Sequence, residues 1–129
     1  MTRKKELVQI FKALSDLTRL RIMKLLVTNR TQICVCEFVD TLQERQYNVS
    51  RQLKVLETAG LIEGERDGHW IYYGLAGGEE VFQVLHRLVA TLPDPEEVFA
   101  QDQERFERRM ELREGGRCRI GIQTEFLTK

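Results

Sequence analysis

Three cysteines are the residues of this 129-residue chain best suited to chemistry. Cys34 and Cys36 are separated by one residue, and Cys118 lies far along the chain between Arg117 and Arg119. Thiolates are nucleophiles and soft ligands, so a close pair favours a soft metal, a metalloid or redox chemistry. An odd cysteine count argues against a disulfide framework. We expect the two arginines to lower the pKa of Cys118.

The backbone around Cys34-Val35-Cys36 decides whether the two sulfurs can act together. Side chains at i and i+2 diverge on a continuous helix, whereas in an extended segment they share one face. We therefore expect an extended segment that ends near Cys36, with Cys36 at or near the N-cap of a short helix over 37–42. The helix dipole favours a thiolate at that position. The segment thus predicts half of a soft-metal site.

The hydrophobic pattern in the first part of the chain predicts helices and then a hairpin. Asp16 is a suitable N-cap for the second helix, and Gly60 is a suitable left-handed stop for the fourth. Residues 61–75 change to strand-forming types, and Asp67-Gly68 predicts a type I′ turn between two strands. The four helices are predicted over 7–14, 17–27, 37–42 and 48–59.

Two further helices are predicted after the hairpin. Residues 79–92 carry an apolar stripe at helical spacing. Asp94-Pro95-Glu96-Glu97 predicts a capping-box start with proline in the first helical position, and Gly115-Gly116 marks the expected end. This last helix is acidic, because residues 94–114 hold eight Asp or Glu against four Arg.

Composition narrows the class of protein. Apolar residues make up 42% of the chain, and 20 basic residues balance 20 acidic ones. This balance argues against a histone-type protein that coats a polyanion through its overall positive charge. Residues 1–30 nevertheless hold eight Lys or Arg against two acids, so this end can face a polyanion. With no signal peptide and no apolar run of about 18 residues, we expect a cytoplasmic protein without a membrane span. The sequence contains no catalytic motif, so we do not expect an enzyme.

The predicted order of elements is that of a winged helix-turn-helix, mostly α with a β-hairpin wing and an extra C-terminal helix. Four segments narrow this further: FKALSDLTRLR over 11–21, ICVCEF over 33–38, VSRQLKVL over 49–56 and AGLI over 59–62. Together they resemble the ArsR/SmtB family of metal-responsive repressors, over about residues 5–92. The resemblance implies a homodimer on double-stranded operator DNA. We expect a DNA-binding and dimerisation domain over 1–93, an acidic helix over 94–116 and a tail with Cys118 over 117–129.

The resemblance implies that the fourth helix enters the major groove and that the hairpin is a wing. Glutamine and asparagine can pair with adenine and arginine with guanine, whereas phosphate contacts position the protein without specifying sequence. Arg66 and His69 on the wing are expected to touch the DNA backbone or the minor groove. The expected base contacts are Gln46, Asn48, Ser50, Arg51 and Gln52, and the expected phosphate contacts are Arg45 and Lys54.

The Cys-Val-Cys-acid segment resembles arsenite- and cadmium-responsive members of the family. The arsenite type has a third cysteine where this chain has Val39, and the cadmium and lead type has cysteines ahead of the position of Cys34, where this chain has none. Cys118 is the remaining thiol. We expect a three-sulfur pyramidal site for As(III) or Sb(III), in one subunit or across the dimer, formed by Cys34, Cys36 and Cys118.

Other interpretations stay open at this stage. Without Cys118, two thiolates suit a monomethylated As(III) species, and cadmium or lead is a further candidate inducer. Oxidation of Cys34 and Cys36 would give a redox switch, and a winged helix can bind protein instead of DNA. The zinc ligands of the family do not match Glu79, Glu80 and His86, and we expect His86 to be structural.

Overall fold

The computed structural model of the chain describes residues 4–124, with side chains from residue 6 onward. The first three residues of the basic segment and residues 125–129 of the expected tail lie outside the described residues. The expected winged helix-turn-helix architecture is confirmed. The described elements are, in order, α1 (Lys4–Leu14), α2 (Leu17–Asn29), β1 (Ile33–Cys34), α3 (Val35–Leu42), α4 (Gln46–Thr58), β2 (Ile62–Asp67), β3 (Trp70–Leu75), α5 (Glu80–Ala90) and α6 (Val98–Met110).

Local capping signals fix two of the predicted helix ends. The Asp16 carboxylate accepts a hydrogen bond from the Arg19 amide at 3.1 Å, so α2 begins where expected. Gly60 follows α4 with φ of 81°, a left-handed conformation that glycine adopts without steric cost. The predicted start of α4 at Asn48 was wrong, because the helix begins at Gln46. Residues 43–47 are polar, and hydrophobicity alone does not separate a turn from a solvent-facing first turn of helix.

The hairpin joins β1 in a three-stranded antiparallel sheet with the order β1-β3-β2. Asp67 pairs with Trp70, so the two central turn residues are Gly68 and His69. The predicted Asp67-Gly68 turn is therefore one residue out of register. Only the first central residue, Gly68, has positive φ, which suits a type II′ turn and not the predicted type I′ turn.

The last helix starts later and ends earlier than predicted. Glu97 precedes it in a left-handed conformation, with φ of 59°, so α6 begins at Val98. Pro95 is therefore in the preceding turn and not at the first helical position, which corrects the prediction. Asp94 still caps the helix, because its carboxylate accepts from the amides of Phe99 at 3.1 Å and Ala100 at 2.9 Å. The helix ends at Met110, ahead of Gly115-Gly116.

The acidic helix α6 packs onto the winged-helix core. Its Phe106 belongs to the same buried apolar cluster as Ile22 of α2 and Phe38 of α3. Asp102 of α6 is 1% exposed and accepts hydrogen bonds from Arg21 of α2 and from Arg105, each at 2.8 Å. Apolar burial and a desolvated ion pair thus hold α6 against the α2–α3 side of the molecule. Within the described residues, no helix combines the length and the apolar character needed to cross a membrane.

Candidate functional site

Three buried sulfur atoms meet at the start of α3. The Cys36 Sγ is 3.5 Å from the Cys34 Sγ and 3.2 Å from the Cys118 Sγ. All three sulfurs lie within 4.8 Å of one another, and the three residues are free thiols. We call Cys34, Cys36 and Cys118 the thiol site. It is the one cluster of three metal-binding side chains found among the described residues.

The two near cysteines meet because the backbone changes direction between them. Cys34 ends β1 and is the N-cap of α3, while Cys36 lies in the first turn of that helix. Cys36, predicted at or near the N-cap, lies two residues past it, since the extended segment ends earlier than expected. Glu37 stabilises the turn by accepting a hydrogen bond from the Cys34 amide at 2.8 Å. This change from strand to helix brings the two sulfurs together although the segment is not extended throughout.

Cys118 is fixed in place from the β3 side. Its amide donates to the Tyr72 Oη at 2.9 Å, and Tyr72 pairs with Cys34 across the β1–β3 ladder. The neighbouring Arg117 stacks its guanidinium 3.9 Å from the centre of the Tyr72 ring. Arg117 also donates to the Asp67 carboxylate at 2.8 Å. Residue 118 is thus part of the packed structure and is 0% exposed.

Two arginines link the C-terminal region to buried carboxylates of α3. Arg109 donates to the Asp40 carboxylate at 2.6 Å, and its Nη2 lies 3.7 Å from the Cys36 Sγ and 4.0 Å from the Cys118 Sγ. Arg113 donates to both oxygens of Glu37, at 2.7 and 2.8 Å. Each buried carboxylate on this side of the thiol site therefore has a cation opposite it.

The segment after Cys118, residues 118–124, runs across the thiol site, and we call it the strap. Arg109 donates from Nη2 to the carbonyls of Ile120 at 2.8 Å and Gly121 at 3.1 Å. Asp40 accepts from the amides of Gln123 and Thr124 at 2.8 to 3.0 Å. The Arg109–Asp40 ion pair thus holds the strap through its backbone, which places Cys118 against Cys36.

The thiol site favours one thiolate at a time. A hydrogen bond from Cys36 lowers the pKa of Cys34 to about 6, with burial acting in the opposite direction. The bond to Cys34, together with burial, raises the pKa of Cys36. Burial also raises the pKa of Cys118. The predicted lowering by flanking arginines was wrong, since Arg117 pairs with Asp67 and Arg119 donates to the Cys118 carbonyl oxygen and not to the sulfur.

The exposed face of α4 and its N-cap carry five of the nine residues predicted to contact DNA. Arg51 stacks its guanidinium 5.8 Å from the centre of the Tyr47 ring. Tyr47 was not among the predicted residues, and it is 76% exposed in the first turn of the helix. The sequence could have indicated Tyr47, because it is a large aromatic residue among polar ones. Its place on the helix follows only when α4 begins at Gln46. The predicted residues that are exposed on this helix and at its N-cap are Arg45, Gln46, Ser50, Arg51 and Lys54.

Gln52 and Asn48 face inward. Gln52 is 7% exposed, accepts from the Arg19 guanidinium at 2.5 Å and donates to the Asn48 side chain at 3.1 Å. Asn48 is half-buried and donates to the Glu44 carboxylate at 2.5 Å. The Gln52 amide thus holds α4 against α2, so we withdraw Gln52 from the base-contacting set, while Asn48 stays a prediction. Gln52 and Asn48 are four residues apart along α4, so they lie on the same side of the helix, which packs inward.

The hairpin places the other two predicted residues at the wing. Arg66 and His69 are both exposed, and the His69 ring lies 4.5 Å from the Trp70 ring. His86 on α5 is 2% exposed, and neither ring nitrogen has a hydrogen-bond partner. Burial lowers the pKa of His86. It is packed like a core residue.

The helix-turn-helix, the hairpin wing and the cluster of three cysteines are features of a winged helix-turn-helix transcriptional regulator. The sequence model of a protein family, described as bacterial regulatory protein, arsR family, matches residues 16–63, from the N-cap of α2 into β2. The chain belongs to the ArsR family, whose members are DNA-binding transcription factors and not enzymes.

Relatives from several organisms agree with this assignment. An HTH-type transcriptional regulator of Methanocaldococcus jannaschii is 38% identical over 73 residues, which cover 57% of this chain and 81% of the relative. The arsenic resistance transcriptional regulator ArsR1 of Pseudomonas putida is 42% identical over 51% of each chain. The arsenical resistance operon repressor of Escherichia coli is 38% identical over 54% of this chain and 58% of the repressor. This chain thus spans little more than half the length of these arsenic regulators.

Solved structures share the fold. HlyU from Vibrio cholerae superposes with a TM-score of 0.57 at 27% identity, over 65% of this chain and 91% of HlyU. The homodimeric winged helix-turn-helix DNA-binding domain of a possible ArsR-family regulator from Mycobacterium bovis gives 0.56 at 28% identity, over 67% and 73% of the two chains. These matches cover about two thirds of this chain.

Proposed function

We propose that this protein is a cytoplasmic, homodimeric repressor that binds operator DNA and is released from it by As(III) or Sb(III). The thiol site carries the proposal, because the Cys36 sulfur lies 3.5 Å from that of Cys34 and 3.2 Å from that of Cys118, within the reach of ligands around one small soft ion. Sulfur ligands lie about 2.3 Å from an ion such as zinc, so two of them span at most about 4.6 Å. The names of the Pseudomonas putida and Escherichia coli relatives support an arsenic ligand.

The pKa pattern of the thiol site suits stepwise exchange on arsenite. The Cys34 thiolate attacks As(OH)3, an As–S bond forms, and a hydroxide leaves. The proton that Cys34 released on ionisation combines with this hydroxide to give water. Cys36 and Cys118 then attack in turn, and each thiol proton leaves with a hydroxide as water. Three thiols and As(OH)3 thus give As(SR)3 and three waters, without change of oxidation state or net charge. The neutral product suits a buried site.

The thiol site lies between the elements that read DNA. Cys34 pairs with Tyr72 in β3, and Arg117 beside Cys118 is bound to Asp67 at the end of β2. Bonding of three sulfurs to one atom shifts α3 and the strap relative to this hairpin, and so changes the position of the wing against α4. A coupling of about 3 kcal/mol between metalloid and DNA weakens DNA binding by more than roughly 100-fold.

Exposed apolar side chains on α1 and α5 support the dimer. Phe11 and Val8 on α1 are 57% and 51% exposed, and Leu88 and Val84 on α5 are 53% and 46% exposed. A monomer gains nothing from such exposure, whereas an isologous interface buries both stripes. The Mycobacterium bovis domain, described as homodimeric, has the same fold.

Fluorescence anisotropy of a labelled DNA fragment from upstream of the gene tests the proposal. Arsenite and antimonite are expected to release the DNA, whereas cadmium and zinc are not. Cys118→Ser should require far more arsenite, while Arg119→Gln, an exposed neighbour, should behave as wild type. Release by cadmium alone, or arsenite release that does not depend on any of the three cysteines, contradicts the assignment.

A redox switch is a second candidate, favoured by the 3.2 Å contact between the sulfurs of Cys36 and Cys118. Two thiols and hydrogen peroxide give a disulfide and two waters, with the peroxide oxygens reduced. The structure favours this pair over the predicted Cys34–Cys36 pair, whose sulfurs are 3.5 Å apart. Peroxide release of DNA that catalase prevents, with a mapped Cys36–Cys118 disulfide, would support it.

A further inference from the structure

A groove of about 500 Å³ lies between α1 and the C-terminal half of α4, beside the start of α2. On α1 it is lined by Gln9 and Ala13, which are four residues apart and so share one side of the helix. On α4 it is lined by Arg51, Val55 and Thr58, which share one side by the same spacing. We call it the α1–α4 groove. Its volume falls within the range of roughly 300–1,000 Å³ of sites that bind small molecules.

Part of the lining of the α1–α4 groove is apolar. Ala13, Val55 and Ala59 contribute to it, and Val55 is 36% exposed although it is a large apolar residue. The dimer proposed above uses Val8 and Phe11 of α1, and neither of them lines the groove. Dimerisation through those two residues therefore leaves the apolar part of the groove to another occupant.

The rest of the lining is positively charged. Arg19 is held in place, because its Nε donates to the Ala13 carbonyl oxygen at 2.6 Å. Among the residues that the structure describes, no carboxylate lies within 4.0 Å of the cationic groups of Lys12 and Arg51. An anion is therefore attracted to the groove. The nine lining residues include no Asp or Glu and four basic residues, which are Lys12, Arg19, Arg51 and Lys54.

We propose that the α1–α4 groove binds a small organic anion, such as an aromatic carboxylate or sulfonate, and that this ligand competes with DNA. Its ring system covers the apolar lining, and its anionic group pairs with the cations. An inorganic anion leaves the apolar surface exposed, and a neutral aromatic compound leaves the cations unpaired. Binding in the groove stands apart from the proposed function, whereas the competition rests on the DNA binding proposed there.

The competition follows from two residues that belong to both surfaces. Arg51 and Lys54 line the groove and are also predicted DNA contacts. A cation that pairs with the ligand is not available to a base or a phosphate, so the bound anion weakens DNA binding. By linkage, DNA weakens ligand binding by the same factor. The ligand thus acts as a second inducer that needs none of the three thiols, since no cysteine lines the groove.

Titration of the full chain with anilinonaphthalene sulfonate (ANS) tests the binding site. ANS combines an apolar ring system with a sulfonate, and its fluorescence rises in an apolar site. Phenylnaphthylamine, which has the same rings without the sulfonate, is the matched control ligand. We expect one ANS per chain, and we expect phenylnaphthylamine to bind at least about tenfold more weakly.

Two variants locate the bound probe. Thr58 is exposed and lines the groove, so the ring of Thr58→Phe fills part of it and should weaken ANS at least about tenfold. Gln101→Phe, an exposed position on α6 outside the groove, is its control. Lys12→Gln should weaken ANS by about two- to fivefold, while Arg108→Gln, which also removes an exposed charge, should have no effect.

Anisotropy of the labelled upstream fragment tests the competition. ANS is expected to release DNA from the wild-type chain and equally from Cys118→Ser, because Cys118 does not line the groove. The Lys12→Gln complex should need about two- to fivefold more ANS, and phenylnaphthylamine should release no DNA.

The possible results separate this proposal from the proposed function. Equal ANS affinity in wild type, Thr58→Phe and Lys12→Gln overturns the groove as the site. Binding in the groove without release of DNA overturns the competition and leaves the metalloid assignment untouched. Release by ANS that requires Cys118 overturns an independent second inducer. Failure of the wild-type chain to bind DNA overturns the proposed function and the competition, while the ANS titration still decides the binding site.

Discussion

The thiol site and the recognition helix are held in place by different means. Val49, Leu53 and Leu56 of α4 are fully buried, so apolar packing positions the helix. The thiol site instead joins α3 to a strap more than 70 residues away, and buried ion pairs hold the two together. A site held by ion pairs loses its geometry when one charge is removed. A helix held by its buried apolar face tolerates substitutions on its opposite, exposed face.

The largest expected effect is that of Arg109→Ala. The change leaves the buried Asp40 carboxylate without its cation and frees the carbonyls of Ile120 and Gly121. Removal of one partner of a buried pair costs about 3–5 kcal/mol. We expect that loss of unfolding free energy in urea, together with faster reaction of Cys118 with a thiol reagent.

Arg108→Ala is the matched control for that experiment, because Arg108 is the preceding residue of α6 and its ion pair with Glu104 is exposed. It should change the unfolding free energy by no more than about 0.5 kcal/mol. Equal losses in the two variants would show that the Arg109–Asp40 pair does not hold the strap. If Arg109→Ala does not fold, Arg109→Lys, which keeps the charge but not the planar fork, provides the Cys118 measurement.

Arg51→Ala tests the other region through its exposed side. Loss of an arginine that contacts a base or a phosphate weakens DNA binding by about 1–3 kcal/mol, while the fold of α4 is unchanged. Anisotropy with the upstream fragment measures the loss, and the urea midpoint should remain that of wild type. Arg108→Ala, an exposed arginine on α6, is the control. A similar loss of DNA affinity in both variants would contradict a specific role for α4.

The thiolate of Cys34 gives a smaller and pH-dependent effect. Its pKa of about 6 predicts that alkylation of Cys34 slows as pH falls through that value. Below the pKa the thiolate fraction falls about tenfold per pH unit. Cys36→Ala removes the hydrogen bond that lowers the pKa, so the midpoint should move towards the ordinary value. Peptide mapping of alkylated Cys34 between pH 5 and pH 9 measures both, and an unchanged midpoint in the variant would assign the shift to another group.

Local sequence patterns predict some features of the two regions and miss others. Asp16, Gly60 and the apolar spacing of α4 act over a few residues, and each of these predictions is confirmed. The spacing of Val49 and Leu56 already places Gln52 on the inward side of α4, whereas its hydrogen bond to Arg19 joins it to another helix and is not indicated by any pattern within α4. The turn register failed for a local reason, since glycine can occupy either central position.

The thiol site shows the same division between near and distant residues. Chemistry of residue types singled out the three cysteines, but it gave the wrong direction for the pKa of Cys118. Sequence neighbours suggested that Arg117 and Arg119 act on the sulfur, whereas the guanidinium that lies 4.0 Å from it belongs to Arg109, nine residues earlier. The strap and its Asp40 anchor arise from contacts across about 80 residues, which hydrophobic periodicity does not record.

Gly60→Ala gives the smallest expected effect and tests the local rule in its simplest form. Gly60 has φ of 81°, and a Cβ there meets no heavy atom within 4 Å, so only backbone strain opposes the change. A left-handed conformation costs an L-residue about 1 kcal/mol. Gly78→Ala is the control, since its φ is not positive and a Cβ added there also meets no heavy atom within 4 Å.

Because Gly60 is outside the thiol site, urea unfolding should show this loss of unfolding free energy while arsenite affinity and Cys118 reactivity stay at wild-type values. A change in Cys118 reactivity would mean that α4 and the strap are coupled in the free protein.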